Sequence, residues 1–202
     1  ALMVDAKTIA TYDAKAAHYA DLVDGDAPDA SLQSFIDLMP AGARVLDLGC
    51  GPGTASAHMR EAGLTPDAID ASPGMIAIAI EKYGLDARVG NFDDISGEAD
   101  YAGVWANFSL LHEDRDDIPR HLTALHKALV PDGILHIGMK TGKGMERDAI
   151  DRRYTYVTVE ELHDLLVSAG FTVTETRQGE ELGMAGTMDP FVIMRGVKAT
   201  DG

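Results

Sequence analysis

The chain has 202 residues, 46% of them hydrophobic and 25% charged, which is ordinary for a soluble α/β domain able to bury a core of its own. Its formal net charge of −16 and pI near 4.6 oppose binding to phosphate backbones and anionic membranes, so a small-molecule ligand is expected, with no nucleic-acid or membrane partner. Cys50 is the only cysteine, which excludes an intrachain disulfide and a cysteine-based zinc site. No apolar run reaches the roughly 18 residues of a membrane helix and no signal-peptide pattern opens the sequence. A cytoplasmic monomer or homodimer is the expectation.

In chain order, residues 6–24 predict an amphipathic helix with Tyr12, Ala16, Tyr19 and Val23 along one face. A break at residues 25–28 separates it from a second helix over 29–39. Val45, Leu46 and Leu48 then make a short apolar run suited to a buried parallel strand, and Gly49, Gly51 and Gly53 follow at alternate positions. Glycines there let the backbone turn tightly and let a ligand come close without meeting a side chain. A helix over 54–62 points its free N–H groups at the same place, so strand, turn and helix together form a nucleotide-binding device. Gly63 stops that helix. The strand over 67–70 ends in Asp70, whose carboxylate can accept hydrogen bonds from a ribose diol. Ser72 and Pro73 open the next helix, with Ile76, Ile80 and Tyr83 turned to the core and Gly84 ending it.

Further strands are predicted over 86–89, 101–106 and 134–139. A helix over 116–130 precedes the last of them, with Ile118, Leu122, Leu125 and Leu129 as its apolar stripe and a turn at Pro131, Asp132 and Gly133. Residues 107–112 fall at the C-terminal edge of the fourth strand, where open α/β sheets bind ligands. His112 is the catalytic candidate there, as a proton acceptor for an alcohol, amine or thiol. His121, His126 and His136 have no metal-ligand spacing and read as surface or packing residues; no metal is expected. Lys140, Lys143, Arg147, Arg152 and Arg153 are five of seventeen basic residues, gathered in a glycine-containing loop suited to neutralising an anionic substrate. Lys140, Arg153 and Tyr154 are the substrate-binding candidates from this stretch. A helix over 158–169, opened by a Thr158–Glu161 capping box, and two strands over 171–176 and 191–197 complete the chain.

The stretch RVLDLGCGPGT closely resembles motif I of the class I S-adenosylmethionine-dependent methyltransferases, (V/L)LD(L/V)GCGxG. It reads G-x-G-x-G where a dinucleotide site wants G-x-G-x-x-G. The leader YDAKAAHY resembles the YDxxAxxY of small-molecule members. DASPGM resembles their D-x-S-P-x-M, YAGVWANFSLLH their motif IV, and LHKALVPDGILHIGMK their L-x-P-G-G strand entry, with Asp132 in place of the first glycine.

The resemblance implies a Rossmann-like, doubly wound seven-stranded sheet in the order 3-2-1-4-5-7-6, mostly parallel with a C-terminal antiparallel hairpin. It also implies one domain, with 1–40 as a helical lid and 41–202 as the cofactor-binding core. S-adenosyl-L-methionine is the implied cofactor. Its implied contacts are Asp47, Gly49, Cys50, Gly51 and Gly53 in the loop, then Asp70, Ala71, Met75, Asn91, Phe92 and Asn107. Asn91 stands where the family commonly has an acid beside the adenine. Tyr12 and Tyr19 inherit a place in the lid beside the substrate. The short form looks closest to the tellurite-resistance and ubiquinone-biosynthesis types. The expected function is methyl transfer to a small molecule, an anion by the basic loop. A non-catalytic module binding the cofactor or its demethylated product, and a nicotinamide-dependent oxidoreductase, stand as alternatives.

Overall fold

The computed structural model describes residues 5–199. Two helices come first, α1 (Ala6–Leu22) and α2 (Ala30–Asp37). Each is opened by an aspartate side chain that accepts a backbone N–H of the first turn, Asp5 from Thr8 and Asp29 from Ser31 and Leu32. The β-α alternation follows as β1 (Arg44–Leu48), α3 (Thr54–Glu61), β2 (Thr65–Asp70), α4 (Pro73–Tyr83), β3 (Ala87–Val89), β4 (Tyr101–Asn107), α5 (Ile118–Ala128) and β5 (Leu129–Lys140). A small hairpin, β6 (Met145–Arg147) and β7 (Arg153–Thr155), precedes α6 (Val159–Ser168), β8 (Phe171–Leu182) and β9 (Met188–Lys198).

Seven strands form one sheet in the order β3-β2-β1-β4-β5-β9-β8, with β9 antiparallel to both β5 and β8. With β6 and β7 set aside in their own two-stranded sheet, this is the expected 3-2-1-4-5-7-6. The order reverses between β1 and β4, so their C-terminal ends open the crevice where such sheets bind ligands. One face is covered by α2 and α3, with Phe35, Met39 and Met59 packed on Val45 and Trp105. The other face is covered by α5 and α6, with Leu122, Leu125, Leu162 and Leu166 packed on Val104, Leu135 and Ile137.

The structure departs from the sequence reading in four places. The basic stretch after Lys140 is not a plain loop but the β6–β7 hairpin, registered Met145 to Thr155 and Arg147 to Arg153. The turn at 131–133 lies inside β5 as a register irregularity against β4, with Asp132 at φ 62°. Ile80, expected in the core, is 49% exposed, because α4 turns Met75, Ile76 and Ala79 inward instead. Strands β8 and β9 run well past the body of the sheet, pairing as far as Leu182 and Met188, and their extension walls a cavity described below.

Candidate active site

The loop after β1 owes its shape to glycine. Gly49 sits at φ 76° with Ser109 so close that an added Cβ would come within 2.4 Å of the Ser109 Cβ. Gly53, at φ 87°, has no room because Leu85 and Ala79 press on it; it opens α3 and lines none of the cavities described here. Asp70, at the end of β2, pins the loop: its Oδ2 accepts the Gly51 N–H at 2.8 Å and its Oδ1 accepts the Ser72 N–H at 2.8 Å. Burial raises its pKa, and each oxygen keeps a lone pair for a hydroxyl. Asp70, Ala71, Met75 and Phe92 line one cavity with Gly49 and Gly51, so a polar end at Asp70 meets an apolar end at Met75 and Phe92. A second cavity on the other side of the glycines is lined by Asp47, Cys50, Trp105 and Asn107. Asp47 is 1% exposed and accepts one hydrogen bond, from Ser56 Oγ at 2.6 Å. Burial pushes its pKa up to about 7. The Cys50 side chain belongs to the apolar cluster of Ala68, Ile76 and Ala79, and burial raises its thiol pKa.

Asn91 serves a local purpose. Its side-chain oxygen accepts the Asp93 N–H at 2.7 Å while Asp94 accepts the Asn91 N–H, a reciprocal cap on a 3-10 turn. The oxygen expected to meet an adenine is thus engaged, and Phe92 is the residue of this segment that lines the cavity.

Helix α1 lies over both cavities and is tied down at several points. Asp13 accepts from Ser72 Oγ and from the Gly74 N–H at 2.9 Å, which docks α1 on the start of α4. Arg147 holds both oxygens of Asp5 at 2.9 Å, Thr8 Oγ1 accepts the Arg153 N–H, and Thr11 Oγ1 donates to the Ile150 carbonyl. The basic hairpin therefore fastens α1 to the body of the domain.

Beneath α1, His112 Nδ1 lies 2.7 Å from the Arg153 carbonyl, which can only accept, so the proton is on Nδ1 and Nε2 accepts from Tyr12 Oη at 2.9 Å. Tyr12 Oη in turn accepts from Arg152 at 3.2 Å. Burial holds the His112 pKa down, to about 4, and raises those of Tyr12 and Tyr154. His112 is thus neutral and engaged at both nitrogens, and it lines the cavity of Asp70 rather than the one beyond it.

That further cavity, of about 600 Å³, is lined by Tyr12, Tyr19, Asn107, Lys140, Arg152, Tyr154, Arg177 and the extended β8–β9 hairpin. Lys140 pairs with Asp189 and sits over the Tyr154 ring. Arg152, 3% exposed, pairs with Asp148 at 2.8 Å and lies over Tyr12 and Tyr154. Arg153 turns away, to Asp114 at 3.1 Å and the His112 carbonyl. Of the two adjacent arginines it is Arg152, and not the expected Arg153, that lines this cavity. Arg177, on β8, also lines this cavity and bonds the Ser31 hydroxyl at 2.6 Å; a solvent-facing strand position carries no signal that would single it out. Asn107 and Tyr19 line all three cavities. Asn107 Oδ1 lies 2.9 Å from Nε2 of His136, a buried residue stacked on Trp105 at 3.7 Å between ring centroids.

A sheet of this order, with a glycine-rich crevice at its switch point and an acid at the end of β2, is the fold of the class I S-adenosylmethionine-dependent methyltransferases. Residues 45–133 match the family described as methyltransferase domain. The chain is 33% identical over 106 residues to malonyl-[acyl-carrier protein] O-methyltransferase of Pectobacterium atrosepticum, covering 51% of this chain and 42% of the relative. It is 41% identical over 69 residues to trans-aconitate 2-methyltransferase of Mycobacterium tuberculosis, covering 33% of this chain and 26% of the relative. The chain thus spans less than half the length of these curated relatives. Among solved structures, it resembles the Burkholderia thailandensis 1,6-didemethyltoxoflavin-N1-methyltransferase, seen with that acceptor and S-adenosylhomocysteine. The TM-score is 0.73 at 24% identity, over 96% of this chain and 88% of the other. Residues 45–133 thus carry a methyltransferase domain, and the chain has the fold of the class I methyltransferases, a class whose cofactor is S-adenosylmethionine. No helix among the described residues is long and apolar enough to cross a membrane.

Proposed function

We propose that this chain transfers the methyl group of S-adenosylmethionine to a small anionic molecule held in the cavity under Tyr12, Arg152 and Arg177. The observation that carries the reading is the meeting of three cavities at Asn107 and Tyr19, two flanking the glycine loop and one beyond it. The residues present fit the cofactor. Asp70 offers lone pairs to a ribose diol, Met75 and Phe92 an apolar wall to a purine, and buried Asp47 a carboxylate to an ammonium group. When bound, the cofactor supplies a methyl on a positive sulfur, already a good electrophile. The protein's part is then alignment, which can account for roughly 7–11 kcal/mol of barrier. Three cationic side chains, those of Lys140, Arg152 and Arg177, outnumber the acidic Asp29 and Glu181 in the lining of the outer cavity, in a chain whose net charge is −16, which supports an anionic acceptor. Two similar proteins are named for a malonyl group and for trans-aconitate, which supports a carboxylic acid as the place to begin. A carboxylate needs no deprotonation before attack, in keeping with a His112 whose nitrogens are both engaged.

The experiment is calorimetric titration with S-adenosylmethionine, S-adenosylhomocysteine and NAD, followed by methyl transfer from labelled S-adenosylmethionine to a panel of mono- and dicarboxylic acids and their amides. Binding of the first two ligands, with label on acids and not on amides, is expected. Binding of NAD alone would overturn the cofactor assignment. Cofactor binding with no transfer to any member of a broad panel would favour a binding module.

A further inference from the structure

Asn107 carries two different hydrogen-bonding faces on one side chain, an accepting oxygen and a donating NH2. Which of them meets a ligand decides what the junction of the three cavities can recognise. Its Oδ1 lies 2.9 Å from His136 Nε2 and is the nearest atom, also at 2.9 Å, to where a Cβ on Gly138 would stand. Strand β5 therefore contributes both the partner and the clearance that keep this oxygen turned to the sheet. The His136 ring is itself held: it is 6% exposed, stacked on Trp105 at 3.7 Å and 16°, with Phe35 tilted against Trp105 at 5.3 Å. The ring also borders a small cavity shared with Arg177 and Arg195. Glu175 lines the same cavity but is taken up by Arg195 at 2.8 Å, and the two guanidiniums only donate, which favours a bare Nδ1 lone pair on that side and the proton on Nε2.

We infer that His136 is a positioning residue: its Nε2–H fixes the Asn107 carboxamide so that the NH2, not the oxygen, is presented where the cofactor and acceptor cavities meet. The junction is then donor-only at this side chain, and the ligand atom that approaches it must bring a lone pair, such as a carboxylate or carbonyl oxygen. An ammonium group placed against it would find no acceptor on this side chain. The recognition rests on the proposed function; the orientation of the amide does not.

The test has two arms. In protein labelled with 15N in its histidine rings, His136 is expected as the neutral Nε2–H tautomer at neutral pH, identified by the loss of its signals in His136→Phe. An Nδ1–H tautomer would reverse the Asn107 amide and overturn the proposal. In the second arm, S-adenosylhomocysteine is titrated into wild type, His136→Gln, which restores a donor at the Nε2 position, and His136→Phe, which keeps the ring stack without it. Affinity within about twofold of wild type is expected for the Gln variant, and a loss of about three- to tenfold for the Phe variant. That loss should not deepen when Asn107→Ala is added. Equal affinities for the Gln and Phe variants would overturn the positioning role. Failure of wild type to bind S-adenosylhomocysteine would refute the cofactor reading, while the tautomer result would still decide the amide's orientation.

Discussion

Asp70 shows how one carboxylate is used twice. It accepts the backbone N–H groups of Gly51 and Ser72, which shapes the loop, and it keeps lone pairs toward the cavity. Asp70→Asn retains only one accepting oxygen, so a loss of about 10- to 100-fold in S-adenosylhomocysteine affinity is expected by calorimetry, on the scale of hydrogen bonds to charged groups. Asp47 is the opposite case, a buried acid with one hydroxyl partner. Folded, it holds its proton up to about pH 7, whereas unfolded it releases it near 3.8. The folded state therefore binds the extra proton between those values, and the contribution of Asp47 to stability is lost as pH rises through that window. Asp47→Asn should remove this loss, gaining up to roughly 4 kcal/mol over wild type at pH 8 and little at pH 4 in urea unfolding. A ligand ammonium beside Asp47 would expel its proton, which titrations in buffers of different ionisation enthalpy would detect.

At the scale of elements, α1 lies over the cavities and is fixed by polar ties rather than by an apolar stripe; its buried residues are Thr8, Ala16 and Ala20. Asp5 is held ionised by Arg147, whose hydrogen bonds set its pKa well below the usual carboxylate range. Both partners are partly exposed, so the pair is worth at most about 1 kcal/mol. Arg147→Ala is therefore expected to speed hydrogen exchange in the first turns of α1 by up to about fivefold, with the exchange of β1 and β4 unchanged. The α3 start is less forgiving. Gly53→Ala puts a Cβ at positive φ and within 2.6 Å of Leu85, and is expected to cost about 2–4 kcal/mol in unfolding free energy.

Across the whole molecule, His112 and His136 each weaken the fold toward acid. Burial keeps His112 and His136 neutral, with pKa values of about 4 and about 3, whereas both would be charged below about 6.5 in the unfolded chain. The unfolded state binds the additional protons, so their contribution is complete above about pH 6.5 and falls as the pH drops below it. Asp47 works in the opposite sense over the same range, so urea midpoints should fall only modestly from pH 7 to pH 5 in wild type, more steeply in Asp47→Asn and less in His136→Phe. Salt should act in the opposite direction to its effect on a neutral protein: with a net charge of −16, screening relieves self-repulsion, and Tm is expected to rise with added sodium chloride.

Much of the fold and part of the site were legible in the residues because they depend on local rules. Strand, glycine turn and helix follow from an apolar run and three glycines, and Asp70 from its distance to them, so the loop and the acid at the end of β2 could be placed from the residues alone. The capping box of α6 and the stripe of α5 are equally local. What only the tertiary structure decided depends on pairs far apart in sequence. The proximity of Arg147 to Asp5, of Tyr12 to His112 and Arg152, and of His136 to Asn107 arises from sheet order and strand register. His136 looked like a packing residue because histidine carries no sign of its partner. Arg152 and Arg153 were indistinguishable in sequence, and only their partners separate them: Asp148 holds Arg152 at the cavity while Asp114 draws Arg153 away. Local sequence determined where the backbone turns; long-range register determined which side chains meet there.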